Sequence, residues 1–188
     1  SFKLANYDII NIAKNGTLIG SIDGNTKKKI NNDKDVSNIV GQTLGVNDVD
    51  ETGAEYFEAY LPENLQDAKH DVTVQEMREN DNKSNPKVFT NAPEYGTYVV
   101  LKGKYEETTK DGSTQTADVT YYVHLGDCSV NYNDYNVERN CKYTFNITVK
   151  GVDNIIVEAT KDKNDQPGAE GVVLKYGKTG KNLTLDSH

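Results

Sequence analysis

The stretch Thr120–Glu158, TYYVHLGDCSVNYNDYNVERNCKYTFNITVKGVDNIIVE, decides the fold. Lys142 to Lys150 alternates in polarity. Tyr143, Phe145, Ile147 and Val149 point one way, and Lys142, Thr144, Asn146, Thr148 and Lys150 the other. That period of two marks a β-strand with one buried face and one wet face. Upstream, Val119, Tyr121, Val123 and Leu125 share one face of a second strand, and Thr120, Tyr122 and His124 share the opposite one. Ile155 to Ala159 is a weaker third strand after a turn at Gly151–Asn154.

Working outward, Gly96–Tyr105 and Ala117–Leu125 flank EETTKDGSTQT, where Asp111-Gly112 supplies the turn chemistry of a hairpin. Asn38–Val46 and Glu55–Leu61 read as strands, and Val172–Tyr176 and Leu183–Leu185 as short ones. Residues 2–22 carry apolar patches broken by the turn dipeptides Asn15-Gly16 and Asp23-Gly24, and residues 23–38 read as a charged surface loop. Leu65–Pro86 reads as a long, mobile polar excursion. VTVQEMREND can form a helical turn there, and NDNKSNP ends it. No helical period is sustained, so many short strands in series predict an all-β antiparallel sandwich. We expect one domain over 1–188, its strands most weakly defined over 1–60.

The chain has 188 residues, 35% of them hydrophobic, with a net charge of -8 and a mean hydropathy of -0.73. Twelve tyrosines and clustered β-branched residues argue for a thin but real core rather than disorder. The negative charge argues against nucleic acid, because phosphate binding needs dense Lys and Arg. Only two arginines occur, Arg78 and Arg139. No apolar run reaches the roughly 20 residues of a transmembrane helix.

Cys128 and Cys141 bracket the connection between the second and first strands described above. In an exported protein they are expected to form a disulfide. Closing so short a loop stabilises by about 3 kcal/mol in the chain-entropy picture. The alternative is two thiols in a reducing cell. Their spacing matches no zinc pattern, and no metal or cofactor is expected.

His124 has Ser129 and Asp127 nearby in sequence, yet a structural histidine is the better reading than a catalytic one. His70 falls in the polar excursion and His188 is terminal. Asp48, Asp50 and Glu51, and likewise Asp162, Asp165 and Glu170, invite a calcium reading. Neither group fits the EF-hand spacing, so both are taken as solvated loop charge. Asn131, Tyr132 and Asn133 form a Tyr/Asn-rich loop of the kind that contacts partners or glycans. The plainer reading is a turn that exploits the backbone tolerance of Asn and Asp. No phosphate loop, nucleophile elbow or HExxH helix is present, and no enzyme activity is expected. Asn15, Asn146 and Asn182 head Asn-x-Ser/Thr triplets.

DYNVERNCKYTFNITVKGVDNIIVEA (134–159) resembles the C-terminal region of Bacteroidales fimbrillin-type surface proteins, a region that includes a domain of unknown function. Asp134, Tyr135, Asn136, Val137, Arg139, Asn140 and Tyr143 carry the resemblance. YLPENLQ (60–66), FTNAPEYGTYVVLKGKY (89–105) and TYYVHLG (120–126) fit as well, so it covers most of 60–188.

The resemblance implies a transthyretin-like Greek-key β-sandwich within a longer exported protein, a fimbrial or pilus subunit or adhesin of the outer membrane surface. Its implied partners are other subunits, joined by strand exchange, and a host or microbial receptor or glycan. Lipidation belongs to the same expectation. The rival expectation is a carbohydrate-binding module of a glycan-capture lipoprotein. Within the signature, Arg139 is expected to pin its loop by pairing with Asp127, Asp134 or Glu138.

Overall fold

A computed structural model describes residues 1–14, 30–45, 54–79, 89–163 and 171–177. The expected strand Leu183–Leu185 and the turns at Asn15-Gly16 and Asp23-Gly24 lie outside them. So do Asp48, Asp50, Glu51, Asp165 and Glu170.

In chain order the strands are β1 (Phe2–Ala13), β2 (Val36–Gln42), β3 (Ala54–Ala59), β4 (Tyr98–Thr108), β5 (Thr114–His124), β6 (Cys141–Gly151), β7 (Asn154–Lys163) and β8 (Gly171–Gly177). Among the described residues a single 3-10 turn (Asp33–Asp35) precedes β2, and one short helix, α1 (Gln75–Glu79), lies between β3 and β4. The first sheet has the order β2-β1-β4-β5 and the second β3-β8-β6-β7.

The two sheets share one core. Phe2, Ile9, Val99, Leu101, Val119, Tyr121 and Val123 of the first meet Phe57, Tyr143, Phe145, Ile147, Val149 and Val157 of the second in a single buried cluster. Tyr7 of β1 stacks on Phe57 of β3 with ring centroids 3.7 Å apart. The protein is thus an all-β sandwich, as the alternation predicts. Each large apolar side chain sealed between the sheets contributes roughly 1.5–3 kcal/mol.

The β4–β5 hairpin has the expected register, from Tyr98 opposite His124 to Thr108 opposite Thr114. Asp111 holds its turn. Its Oδ1 accepts from the Ser113 amide at 3.1 Å and the Ser113 hydroxyl at 2.8 Å, and also from the Thr109 hydroxyl. Gly112 takes a positive φ of 85°. Beside it β1 runs against β4, and the approach is so close at Gly103 that a Cβ there would overlap the Lys3 carbonyl.

On the outer face of β5 Thr120 is exposed, but His124 is 1% exposed because the polar excursion folds back over it. Two expectations are corrected. First, the second sheet is mixed, because β8 runs parallel to β6 and antiparallel to β3. The cause is connectivity: β7 pairs antiparallel with β6 on its other side, so a strand returning past β6 runs in the direction of β6. Second, Cys128 and Cys141 are thiols with no disulfide between them. Both are 3% exposed and belong to the main core cluster, where a thiol packs as a small apolar group.

Candidate functional site

The connection from β5 to β6, residues 125–140, is built from local side-chain-to-backbone bonds. Asn131 Oδ1 accepts from the Asn133 amide at 3.0 Å, and Asp134 Oδ1 from the Asn136 amide at 2.7 Å. Such Asx turns let a chain without regular structure satisfy its own amides. Gly126 opens the loop at a φ of 132°, and a Cβ there would overlap the Asp134 carbonyl. Asn140 closes it in the left-handed region at 56°.

Against this loop lies the 60–72 segment. Asn64 and Val137 exchange backbone bonds, each 2.8 Å, and Asp67 bridges to Asp134. Asn136 Oδ1 accepts from the Gln66 amide at 2.8 Å, and Asn133 Oδ1 from the Val72 amide at 2.7 Å. Asn64 is 1% exposed. Its amide nitrogen donates to the Tyr95 carbonyl (2.8 Å), the Thr97 hydroxyl (3.0 Å) and the Asn11 carbonyl (3.3 Å). A buried carboxamide with this many partners fixes the segments it joins, since each lost bond leaves an unpaired polar group behind. Two of the stretches that carry the resemblance, 60–66 and 134–143, are therefore docked on one another.

The signature residues make contacts within the fold. Arg139 pairs with Glu63, Nε to Oε2 at 3.2 Å and Nη2 to Oε1 at 3.1 Å. The expected partners were Asp127, Asp134 or Glu138; the partner in the forked, half-buried pair is Glu63, which ties the loop to the 60–72 segment. Glu138 instead binds Lys161 of β7 at 2.9 Å. The Tyr143 hydroxyl accepts from the Glu138 amide at 3.0 Å, and burial pushes its phenol well up. Val137 and Tyr135 are fully buried.

Sequence reasoning missed Arg78. It projects from α1 into the loop and is 1% exposed. Its Nη1 donates to the Tyr132 carbonyl at 2.7 Å. Its Nη2 donates to the carbonyls of Leu125 (2.9 Å) and His124 (3.3 Å). Its guanidinium lies 3.9 Å from the centre of the Tyr135 ring. The only available signal was its rarity, as one of two arginines.

The side chains of the proposed contact loop are less free than expected. Tyr132 packs against the main core rather than facing outward. Asn133 is held on both sides, its Nδ2 donating to Asp71 at 2.6 Å. What stays open is a polar cleft of about 450 Å³ between the two docked stretches, lined among others by Asp67, Lys69, His70, Asn131 and Asp134. Its amides and carboxylates can accept from and donate to a polar ligand. Among the described residues, no group of three or more His, Cys, Asp or Glu side chains could hold a metal ion. No helix among them is long and apolar enough to cross a membrane.

A family model described as a domain of unknown function (DUF4906) matches residues 59–147. The matched span starts at the segment docked on the β5–β6 loop and ends within β6, so it contains the docked pair and α1. No curated protein and no solved structure matches the chain.

Proposed function

We propose that this chain is a non-enzymatic subunit of a surface fibre, of the fimbrillin type that its signature resembles, and that it assembles by strand exchange. The observation that carries the reading is the position of β8. It lies between β3 and β6, and it is the one described strand that pairs with β3. With β8 withdrawn, β3 and β6 would present facing rows of unpaired backbone donors and acceptors. The same segment of a second copy could satisfy them in the same register. Swapping an identical element between copies costs little, because every contact is remade. The transthyretin-like Greek-key description, export to the cell surface, lipidation and a role in adhesion belong to the same proposal.

The test is a chain ending at Lys163 mixed with a labelled peptide spanning 168–180. Uptake of the peptide, with recovered stability, is expected. A folded chain that ignores the peptide would count against the reading.

The polar cleft favours a second reading, a module that binds neutral glycans. Carboxylates and carboxamides hydrogen-bond vicinal hydroxyls, and three of the lining residues are Asp67, Asp71 and Asp134, which disfavours anions. Binding to a polysaccharide panel that is lost in Asn131→Ala would support it. Binding unaffected by changes in the cleft would refute it.

A further inference from the structure

His124 ends β5 inside a box of rings. The edge of Phe89 lies 4.4 Å away between centroids, Tyr98 of β4 5.1 Å and Tyr135 5.7 Å. The imidazole is 1% exposed, and neither ring nitrogen has a hydrogen-bond partner. Leaving two such atoms dry costs free energy that a water-exposed imidazole would not incur.

α1, the 65–72 stretch and the loop carry carboxylates as well, but the charged groups that act on the ring are Arg78 and Lys69. α1 contributes Arg78, bonded to the carbonyl of His124 itself. The 65–72 stretch contributes Lys69, whose Nζ donates to the Phe89 carbonyl at 3.0 Å. β4 contributes Tyr98, β5 Tyr122 and the loop Tyr135. The charges acting on the ring are both cations. An imidazolium here would have no acceptor and two like-charged neighbours.

The strap that covers His124 is polar, and among the bonds that hold it are those of Arg78, the Lys69–Asn91 backbone bond (2.8 Å), the bond from Lys69 Nζ to the Phe89 carbonyl and the bond from Asn91 Nδ2 to the Met77 carbonyl (3.2 Å). It contributes Phe89 and Ala92 to a small cluster separate from the main core. Local opening of such a segment is cheaper than global unfolding.

We propose that His124 makes this strap, α1 with residues 89–92, an acid-released latch, which lifts from the end of β5 when the imidazole takes a proton. Burial, with Arg78 and Lys69 next in weight, lowers the closed-state pKa to about 3 from 6.5. Protons therefore bind the open state first, and acid shifts the population toward it. The latch lies beside the polar cleft, so opening would also reshape the cleft wall at Lys69. The inference stands independently of strand exchange.

Hydrogen exchange of the full chain, corrected for intrinsic rates, tests it. Between pH 7 and pH 5 the opening equilibrium of amides in 69–79 should rise about 25-fold, with the centres of β4 and β6 unchanged. In His124→Phe the rise should vanish. A flat wild-type profile, or the same rise in the variant, would overturn the proposal. NMR of the wild-type imidazole provides a reading that needs no variant. A ring that titrates near 6.5 while the strap stays protected would overturn it as well.

Discussion

The guanidinium of Arg78 lies 3.9 Å from the centre of the Tyr135 ring, and both side chains are sealed from solvent. A helix of five residues has almost no stability of its own. This one is held by its arginine, which caps the carbonyl at the end of β5 and two carbonyls of the β5–β6 connection. The cation thereby joins the polar excursion to the signature loop.

Arg78→Ala should therefore destabilise the chain by about 3 kcal/mol, because it strands buried carbonyls and removes the cation over the ring. Lysine should rescue only part of this, since it lacks the planar fork. Denaturant melts of the three proteins check both outcomes. A loss below about 1 kcal/mol for alanine would mean that the excursion contributes little to folding.

The Arg139–Glu63 pair is half-buried and forked. Arg139→Ala should lower the melting temperature by about 3 °C. A double-mutant cycle with Glu63→Gln should give a coupling of about 1 kcal/mol. Unchanged melting with lost partner binding would make Arg139 a contact residue instead.

Gly126→Ala should cost about 3 kcal/mol, because φ is positive and the new Cβ meets the Asp134 backbone. Gly112→Ala meets open space and should cost only the strain of its φ, about 1 kcal/mol. Urea midpoints of the two variants should differ accordingly.

Two acid windows are expected in the unfolding free energy. His124 is held neutral by burial, with its folded pKa lowered to about 3 from 6.5. The unfolded chain therefore binds the proton first, so stability present above pH 6.5 is lost as pH falls from 6.5 toward 3. Asp111 is held ionised by the Thr109 and Ser113 hydroxyls, lowered to about 2 from 3.8. Its contribution is present above pH 3.8 and is lost as pH falls toward 2, and its full exposure to solvent keeps it small. Urea melts from pH 7 to pH 2.5 should fall mainly in the upper window. A flat profile from 6.5 to 4 would contradict the burial of His124.

The sandwich was legible wherever side chains alternate. Tyr143, Phe145, Ile147 and Val149 point inward as the period of two requires, and the Asp111-Gly112 turn sets the register of its hairpin. β1 was harder to see, because a register shift between Leu4 and Asn6 and the positive φ of Asn11 break its pattern. The excursion was misjudged for a different reason. Asn64, Gln66, Arg78 and His124 are polar side chains that surround themselves with groups distant in sequence, and no local pattern encodes those partners. The signature loop was found by resemblance, but its pairing with Glu63 is a tertiary fact.

Strand exchange is tested most directly by the register of β8. Glu58 of β3 lies opposite Val173 of β8. Two differently tagged chains, one carrying Glu58→Cys and the other Val173→Cys, both with Cys128 and Cys141 replaced by Ala, would be mixed and oxidised. The account predicts a disulfide between the chains, formed at the rate of oligomer growth. Closure only within one chain carrying both substitutions, with none between chains at any concentration, would contradict it.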